Sequence, residues 1–210
     1  MLVGLGGNNG TTFTAGILAN KLNVSWETKN GEMHPNFYGS FTQSATTHVG
    51  FKHDPMTKKL ADVHKPIKEL LPIANPVDFV ISGWDISKDN LFAAAKKAKV
   101  LEPTLLNALK PELEKIVPLE AVVNQDFIAA NQADRMTNVF NGTNRECIDR
   151  IRADIRKVKA EVDKVVILWT ANTEMMFAPE LREINDLMQQ VEKNQSLPAS
   201  MLYCIAAIEE

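Results

Sequence analysis

The residues best suited to chemistry in this sequence are the glycines among its first ten positions. They follow the short apolar run 1–3, which predicts a strand, and precede residues 11–21, which have the apolar spacing of a helix. A glycine turn between strand and helix lets a pyrophosphate approach the backbone, and the helix N-terminus offers free N–H groups and a partial positive charge. The spacing is one residue longer than in the common dinucleotide motif, so a glycine turn without a ligand is the alternative. The glycines are Gly4, Gly6, Gly7 and Gly10.

Two further apolar runs end in polar residues that could line the same site. The run 78–82 predicts a strand that leads to Asp85. The continuous apolar run 164–169 predicts a parallel strand buried on both faces, and it leads to the small polar segment 170–173. In an open α/β sheet, ligands bind beyond the carboxyl ends of the strands. There the carboxylate of Asp85 could accept hydrogen bonds from two ribose hydroxyls, although it could instead cap the next helix. Three such strand ends predict a nucleotide site on an α/β, Rossmann-like doubly wound fold with a mainly parallel sheet.

The remaining elements must hold these strand ends in place. Residues 28–57 show no clear period, 58–71 could form a helix that Pro66 interrupts, and 116–123 has the pattern of a strand. A short strand at 23–27 would place Glu27 where many dinucleotide-binding domains carry a ribose acid, but a surface glutamate is the favoured interpretation. Further helices are predicted over 88–100, 103–115 (which Pro111 could divide), 143–162, 179–193 and 198–210.

Composition restricts the partners that the chain can take. Its 210 residues are 45% hydrophobic and 23% charged, which is typical of one globular domain with a sizeable core, so we assign 1–210 to a single domain. The net charge of −3 argues against a nucleic-acid surface, and no apolar run could span a membrane. Cys147 and Cys204 are too few for a disulfide framework and indicate reduced cytoplasmic thiols. No metal is expected, because the histidine spacing matches no zinc pattern.

Five segments, in one order along the chain, carry the residues of a known family. They are GLGGNNGTT at 4–12, NFYGSFTQ at 36–43, DFVISGWDI at 78–86, DFIAANQ at 126–132 and VILWTANTE at 166–174. With these segments the chain resembles the myo-inositol-1-phosphate synthases, which are also called inositol-3-phosphate synthases. The resemblance implies a Rossmann domain that holds NAD and is joined, in the family, to a catalytic domain that also forms a homotetramer.

The resemblance also implies an activity for the complete enzyme. Family members are cytoplasmic isomerases of the intramolecular lyase type, and they supply inositol for phospholipid biosynthesis. They convert glucose 6-phosphate to 1L-myo-inositol 1-phosphate by NAD-dependent oxidation, enolisation, aldol cyclisation and reduction. Their catalytic residues lie beyond the position that matches Glu210, so we assign none here. We expect this chain alone to bind NAD weakly or moderately and to turn over no sugar. The alternatives are an NAD-dependent dehydrogenase with a different catalytic half and a non-catalytic nucleotide-binding domain.

Carried over position by position, the resemblance implies a set of NAD contacts. An acid at position 85 would also repel a 2′-phosphate, which favours NAD over NADP. Ala121 and Val122 match a cofactor-lining position more loosely, and the family places no ribose acid at Glu27. The implied contacts are Gly6, Gly7, Asn8, Asn9, Gly10, Asp85, Gln132, Arg135, Thr170, Ala171, Asn172 and Thr173.

Overall fold

Eight short strands and eight helices make up the fold, a computed structural model that describes residues 1–177, 181 and 183–210. Within the described residues, no helix combines the length and the apolar character that a membrane span requires. The strands are β1 (Leu2–Val3), β2 (Trp26–Thr28), β3 (Gly31–Met33), β4 (Thr46–His53), β5 (Leu60–Pro66), β6 (Gly83–Asp85), β7 (Leu119–Glu120) and β8 (Leu168–Trp169). The helices are α1 (Asn8–Leu22), α2 (Phe41–Ser44), α3 (Ile67–Leu70), α4 (Leu91–Ala98), α5 (Pro103–Leu113), α6 (Asn144–Lys159), α7 (Ile184–Glu192) and α8 (Ala199–Glu209).

A four-stranded parallel sheet lies at the centre, in the order β7-β6-β1-β8. Leu2 of β1 pairs with Gly83 on one side and with Leu168 on the other. Because β1 lies between β6 and β8, its carboxyl end opens directly into the glycine turn with a strand end on each side. This arrangement confirms the predicted α/β fold with a parallel sheet.

Helices cover both faces of the sheet, as in a doubly wound domain. Successive strand residues point to opposite faces, and the two residues of β1 accordingly join different cores. Leu2 packs in a buried cluster with Leu91 of α4 and Leu109 of α5. Val3 packs in a second cluster with Ile148 of α6 and residues of α8. The glycine turn therefore leaves a strand that is held between two cores.

The second strand of the sheet begins later than the apolar run predicts. The predicted strand 78–82 is wrong, since Pro76–Asp78 forms a 3-10 turn and the strand is β6 at Gly83–Asp85. A close approach of two backbones explains the shift, because a Cβ on Gly83 would lie 2.0 Å from the carbonyl oxygen of Leu2. Only a glycine can pair with β1 at this position, so its location decides the register.

The predicted buried strand at 164–169 is an exposed edge strand instead. Only Leu168–Trp169 pairs, with β1, and the side chain of Val166 is 58% exposed. The sequence predicted burial on both faces from a continuous apolar run. In the described part of the chain no further strand pairs with the outer edge of β8, so that burial does not arise.

The predicted helix at 58–71 is wrong over most of its length. Residues 60–66 form β5, which pairs antiparallel with β4, and only Ile67–Leu70 is helical. Thr46 pairs with Pro66, so Pro66 ends a strand instead of kinking a helix. The pairing joins residues up to 20 positions apart, and a local pattern does not reveal such a partner.

Other boundaries differ less from the prediction. The strand near 23–27 is β2, which forms a hairpin with β3 outside the central sheet, and Pro111 lies inside a continuous α5. Helix α6 begins at Asn144, one residue later than predicted. Thr143 caps it through a reciprocal pair of hydrogen bonds with Glu146. Of the helix predicted at 179–193, Ile184–Glu192 is observed as α7, and positions 179, 180 and 182 lie outside the described residues.

Candidate functional site

The carboxyl ends of the parallel strands open into a cavity of about 880 Å³. Natural ligand pockets span roughly 300–1,000 Å³, so this cavity has the size for a large ligand such as a dinucleotide. Gly7, Asp85 and Thr170, which come from three separate segments, all line it. The prediction that these three strand ends lie on one side of the domain is therefore confirmed.

The glycine turn brings the backbone close to two neighbouring segments. The N–H groups of Gly4 and Leu5 both donate to the carbonyl oxygen of Trp84, at 2.8 and 3.0 Å. Gly4 has a φ of +88°, and a Cβ there would lie 2.8 Å from the backbone of Ala171. The turn thus requires glycine both for its conformation and for the space it leaves to the third strand end.

Helix α1 begins at Asn8, three residues earlier than predicted, so its first turn lies inside the motif. Its N-cap is Gly7, and the described residues provide neither a side-chain cap nor an acid in the first turn. Gly7, Asn8 and Asn9 line the cavity, and this N-terminus consequently presents free N–H groups to it. Gly10 does not line the cavity, and a Cβ there would lie 2.3 Å from the carbonyl oxygen of Leu5.

Asp85 lies beside the turn and is 4% exposed. Its Oδ2 accepts the Gly6 N–H at 2.8 Å, and its Oδ1 accepts the Ser87 N–H at 2.9 Å. Burial raises the pKa of this carboxyl, and the two backbone hydrogen bonds and the charge of Arg135 partly oppose that rise. Asp85 does not cap α4, because Asn90 accepts the Ala93 N–H at 2.9 Å and fills that role. Each carboxylate oxygen therefore keeps acceptor capacity for a ligand hydroxyl.

The segment after β8 forms the third wall of the cavity. The hydroxyl of Thr170 donates to the carbonyl oxygen of Val3 at 2.9 Å, which ties this segment to the central strand. Trp169 donates from its indole nitrogen to the carbonyl oxygen of Asn172 at 3.3 Å. Ala171, Asn172 and Thr173 line the cavity in succession.

A 3-10 turn at Ala130–Arg135 supplies the fourth wall. Gln132 and Arg135 line the cavity, and the guanidinium of Arg135 donates to the side-chain oxygen of Gln132 at 3.2 Å. Asn138 donates from its side chain to the carbonyl oxygen of Asp85 at 3.0 Å and so joins this segment to β6. All the predicted contact residues except Gly10 thus meet in one cavity, and Ala121 and Val122 line it too. Glu27 is an exposed residue of β2 and lies outside the cavity.

Sequence reasoning missed the buried residues that support these walls. The indole of Trp84 donates to Asp154 of α6 at 3.1 Å and meets the ring of Tyr203 edge-on at 5.0 Å. The Tyr203 hydroxyl accepts the N–H of Val122 at 3.0 Å, and burial raises the pKa of the phenol well above its usual value. Asp154 lies within the predicted helix 143–162, and only its buried partner Trp84 distinguishes it from the other acids of that helix.

Charged side chains that the sequence analysis did not assign to the site also line the cavity. Lys88 and Lys97 line it together with Asp89, whose carboxylate pairs with Lys97 at 2.5 Å. This pairing lowers the pKa of Asp89. The described residues contain no group of three His, Cys, Asp or Glu side chains that could hold a metal ion.

Known proteins similar to this chain share both its sequence and its fold. Inositol-3-phosphate synthase 1 of Oryza sativa subsp. japonica is 44% identical to it, and inositol-3-phosphate synthase of Brassica napus is 46% identical. The crystal structure of inositol-3-phosphate synthase from Caenorhabditis elegans matches with a TM-score of 0.89 and 42% identity. Each match covers 100% of this chain, but the chain spans only 41% of the two plant proteins and 42% of the nematode structure.

A family model agrees with these matches over the whole chain. The model, which describes the NAD-binding domain of myo-inositol-1-phosphate synthase, matches residues 1–210. The cofactor of this domain family is NAD, and the uncapped α1 and the spare acceptors of Asp85 suit a dinucleotide. The chain belongs to the myo-inositol-1-phosphate synthase family and represents its NAD-binding portion.

Proposed function

We propose that the cavity holds NAD with its pyrophosphate at the N-terminus of α1. The free first-turn N–H groups of this helix are the observation that carries the proposal, since they lie in the cavity with no side-chain cap. Such an N-terminus favours an anion both by hydrogen bonding and by the helix dipole. Gly10 does not line the cavity, and its proposed role is to let α1 pack closely against the turn. The proposed cofactor-binding residues are Gly6, Gly7, Asn8, Asn9, Asp85, Gln132, Arg135, Thr170, Ala171, Asn172 and Thr173.

We propose that Asp85 accepts hydrogen bonds from the ribose hydroxyls and makes the site select NAD over NADP. Its carboxylate is held by the N–H groups of Gly6 and Ser87, so it cannot turn away from the cavity without breaking both bonds. A 2′-phosphate at the ribose would bring a second negative charge against a buried carboxylate, which costs free energy in a medium of low dielectric. We therefore expect NAD to bind more tightly than NADP.

In the whole protein, the domain would serve the synthase reaction that relatives are named for. We propose glucose 6-phosphate as the substrate and an inositol phosphate as the product, in a cytoplasmic homotetramer that supplies phospholipid synthesis. When bound, NAD accepts a hydride and later returns it. The residues described here bind and orient the cofactor, and they close it off from water on the sheet side.

Titration calorimetry of this chain with NAD and with NADP tests the proposed site. We expect saturable binding of NAD and at least tenfold weaker binding of NADP, and equal affinities would contradict the role of Asp85. Incubation of the chain with NAD and glucose 6-phosphate tests whether the chain alone catalyses the synthase reaction. We expect no inositol phosphate, because we propose that the residues for acid–base chemistry lie in the part of the synthases that this chain does not match. Appreciable turnover would place the catalytic groups within these 210 residues.

A further inference from the structure

Two helix N-termini face the cavity, and they differ in whether a side chain accepts hydrogen bonds from their first N–H groups. Helix α1 is uncapped by side chains. Helix α8 begins at Ala199 after Pro198, which offers no side-chain cap, yet its first N–H groups are bonded. Glu174 accepts the Ala199 N–H with Oε1 at 2.9 Å and the Ser200 N–H with Oε2 at 3.0 Å. Glu174 and Ala199 both line the cavity, so this carboxylate occupies an N-terminus that a phosphate could otherwise reach.

The electrostatic consequence follows from the helix dipole. A helix N-terminus attracts an anion because its N–H groups are free and carry partial positive charge. At α8 both attractions are already satisfied by Glu174, and the carboxylate would repel a phosphate that came near. Of the two N-termini, only that of α1 is left for the pyrophosphate.

Glu174 also anchors the wall that follows β8. At the start of this wall the Thr170 hydroxyl bonds the carbonyl oxygen of Val3, and at its end Glu174 bonds α8. The segment 171–173 between these anchors lines the cavity. Each end is thus tied to a different packed element, and the segment is held at both ends against the central sheet.

We propose that Glu174 is a positioning residue of the cofactor site. By filling the N-terminus of α8 it directs the pyrophosphate to α1, and by anchoring 171–173 it holds that wall against the cofactor. This inference rests on the proposed function, because it concerns the orientation of NAD within the same cavity. It assigns to Glu174 no contact with the reacting atoms.

Titrations with two probes, NAD and inorganic pyrophosphate, distinguish positioning from a structural role. We expect Glu174→Ala to weaken NAD binding about tenfold, because the wall 171–173 loses its anchor on α8 and holds the cofactor less firmly. We expect the same variant to bind inorganic pyrophosphate more tightly, by about threefold or more, because the N–H groups of α8 become free. A residue that only stabilised the fold would weaken both ligands when removed.

A conservative variant and a matched control complete the experiment. Glu174→Gln keeps one acceptor oxygen and the side-chain length but removes the charge, so it should fold and move both affinities in the same directions to a smaller extent. Glu146→Ala is the control, since Glu146 caps α6 by accepting the Thr143 N–H at 2.7 Å and does not line the cavity. It removes a charge and a cap, and both affinities should stay within about twofold of wild type.

The outcomes separate this inference from the proposed function. If wild type binds no NAD, the proposed function fails and the inference fails with it. If wild type binds NAD but both Glu174 variants bind the two probes as wild type does, only the inference is overturned. A parallel loss of both ligands in these variants, accompanied by a lower unfolding temperature, would also overturn it, because that pattern reports a structural cap alone.

Discussion

Replacement of Asp85 by asparagine changes one atom and one charge at the centre of the cavity. In wild type each carboxylate oxygen accepts a backbone N–H, from Gly6 at 2.8 Å and from Ser87 at 2.9 Å. An asparagine has a single acceptor oxygen, and its NH₂ group must face one of these two donors. The Asp85→Asn variant therefore leaves one N–H without a partner and removes the charge that would hold the ribose hydroxyls.

The magnitude follows from two opposing effects on stability and one effect on binding. An unsatisfied buried N–H costs about 1–3 kcal/mol of unfolding free energy. Removal of the buried charge, whose desolvation raises the pKa of Asp85, offsets part of that loss. We expect a net loss of about 1 kcal/mol at neutral pH, or about 2–4 °C in Tm. Loss of a charged acceptor for the ribose costs about 1.5–3 kcal/mol, so NAD should bind about 10- to 100-fold more weakly.

Calorimetric titration with NAD and thermal unfolding of the same preparations measure both effects. Asp163→Asn is the matched control, because Asp163 is an exposed carboxylate outside the cavity, and it should change neither quantity appreciably. The decisive result is the ratio of NAD affinities. If Asp85→Asn lost stability but bound NAD as wild type does, Asp85 would only brace the turn, and its assignment as the ribose acceptor would be refuted.

Three further predictions concern the packing and titration of the same region. Gly10→Ala should lower the unfolding free energy by about 1–3 kcal/mol, because its Cβ would lie 2.3 Å from the carbonyl oxygen of Leu5. Trp84→Phe should lower the unfolding free energy measured in urea by about 1–3 kcal/mol. The substitution removes the indole N–H that donates to buried Asp154 at 3.1 Å. Wild type should lose stability relative to Asp85→Asn as pH rises above 3.8, because a carboxyl with a raised pKa stabilises the fold only while it is protonated.

Each of these three has a contrary result. An unchanged unfolding midpoint for Gly10→Ala would mean that the turn has room to move away from α1. Equal urea midpoints for Trp84→Phe and wild type would show that the hydrogen bond from the indole to Asp154 does not stabilise the core. A stability difference between wild type and Asp85→Asn that stayed constant with pH would show that Asp85 titrates alike in the folded and unfolded chains.

Local pattern was enough to predict the three strand ends that meet at the candidate site. The glycine turn, Asp85 and the segment 170–173 each follow an apolar run at the point where it becomes polar, and this signal lies within about ten consecutive residues. Parallel strands of one sheet end on the same side, so these segments had to meet once the fold class was predicted. The position of α6 was equally local, because the bonds between Thr143 and Glu146 define its start.

The positions of the strands themselves depended on partners that are far away in sequence. Gly83, rather than the more apolar residues before it, pairs with Leu2 because no Cβ fits against that backbone. Residues 60–66 pair with β4 although their own sequence suggested a helix. Backbone pairing of this kind is decided by the partner strand, and a window of neighbouring residues contains no information about it.

The sequence by itself determined the class of fold, the glycine motif and the three strand ends that meet at the cavity. Only the tertiary structure decided what each polar side chain does there: that Asp85 bonds the glycine turn and does not cap α4, and that Glu174 caps a helix 25 residues away. The physical reason is that burial and hydrogen bonding belong to pairs of groups. A side chain acquires its role when packing brings its partner within about 3 Å, and residue type with spacing specifies only one member of that pair.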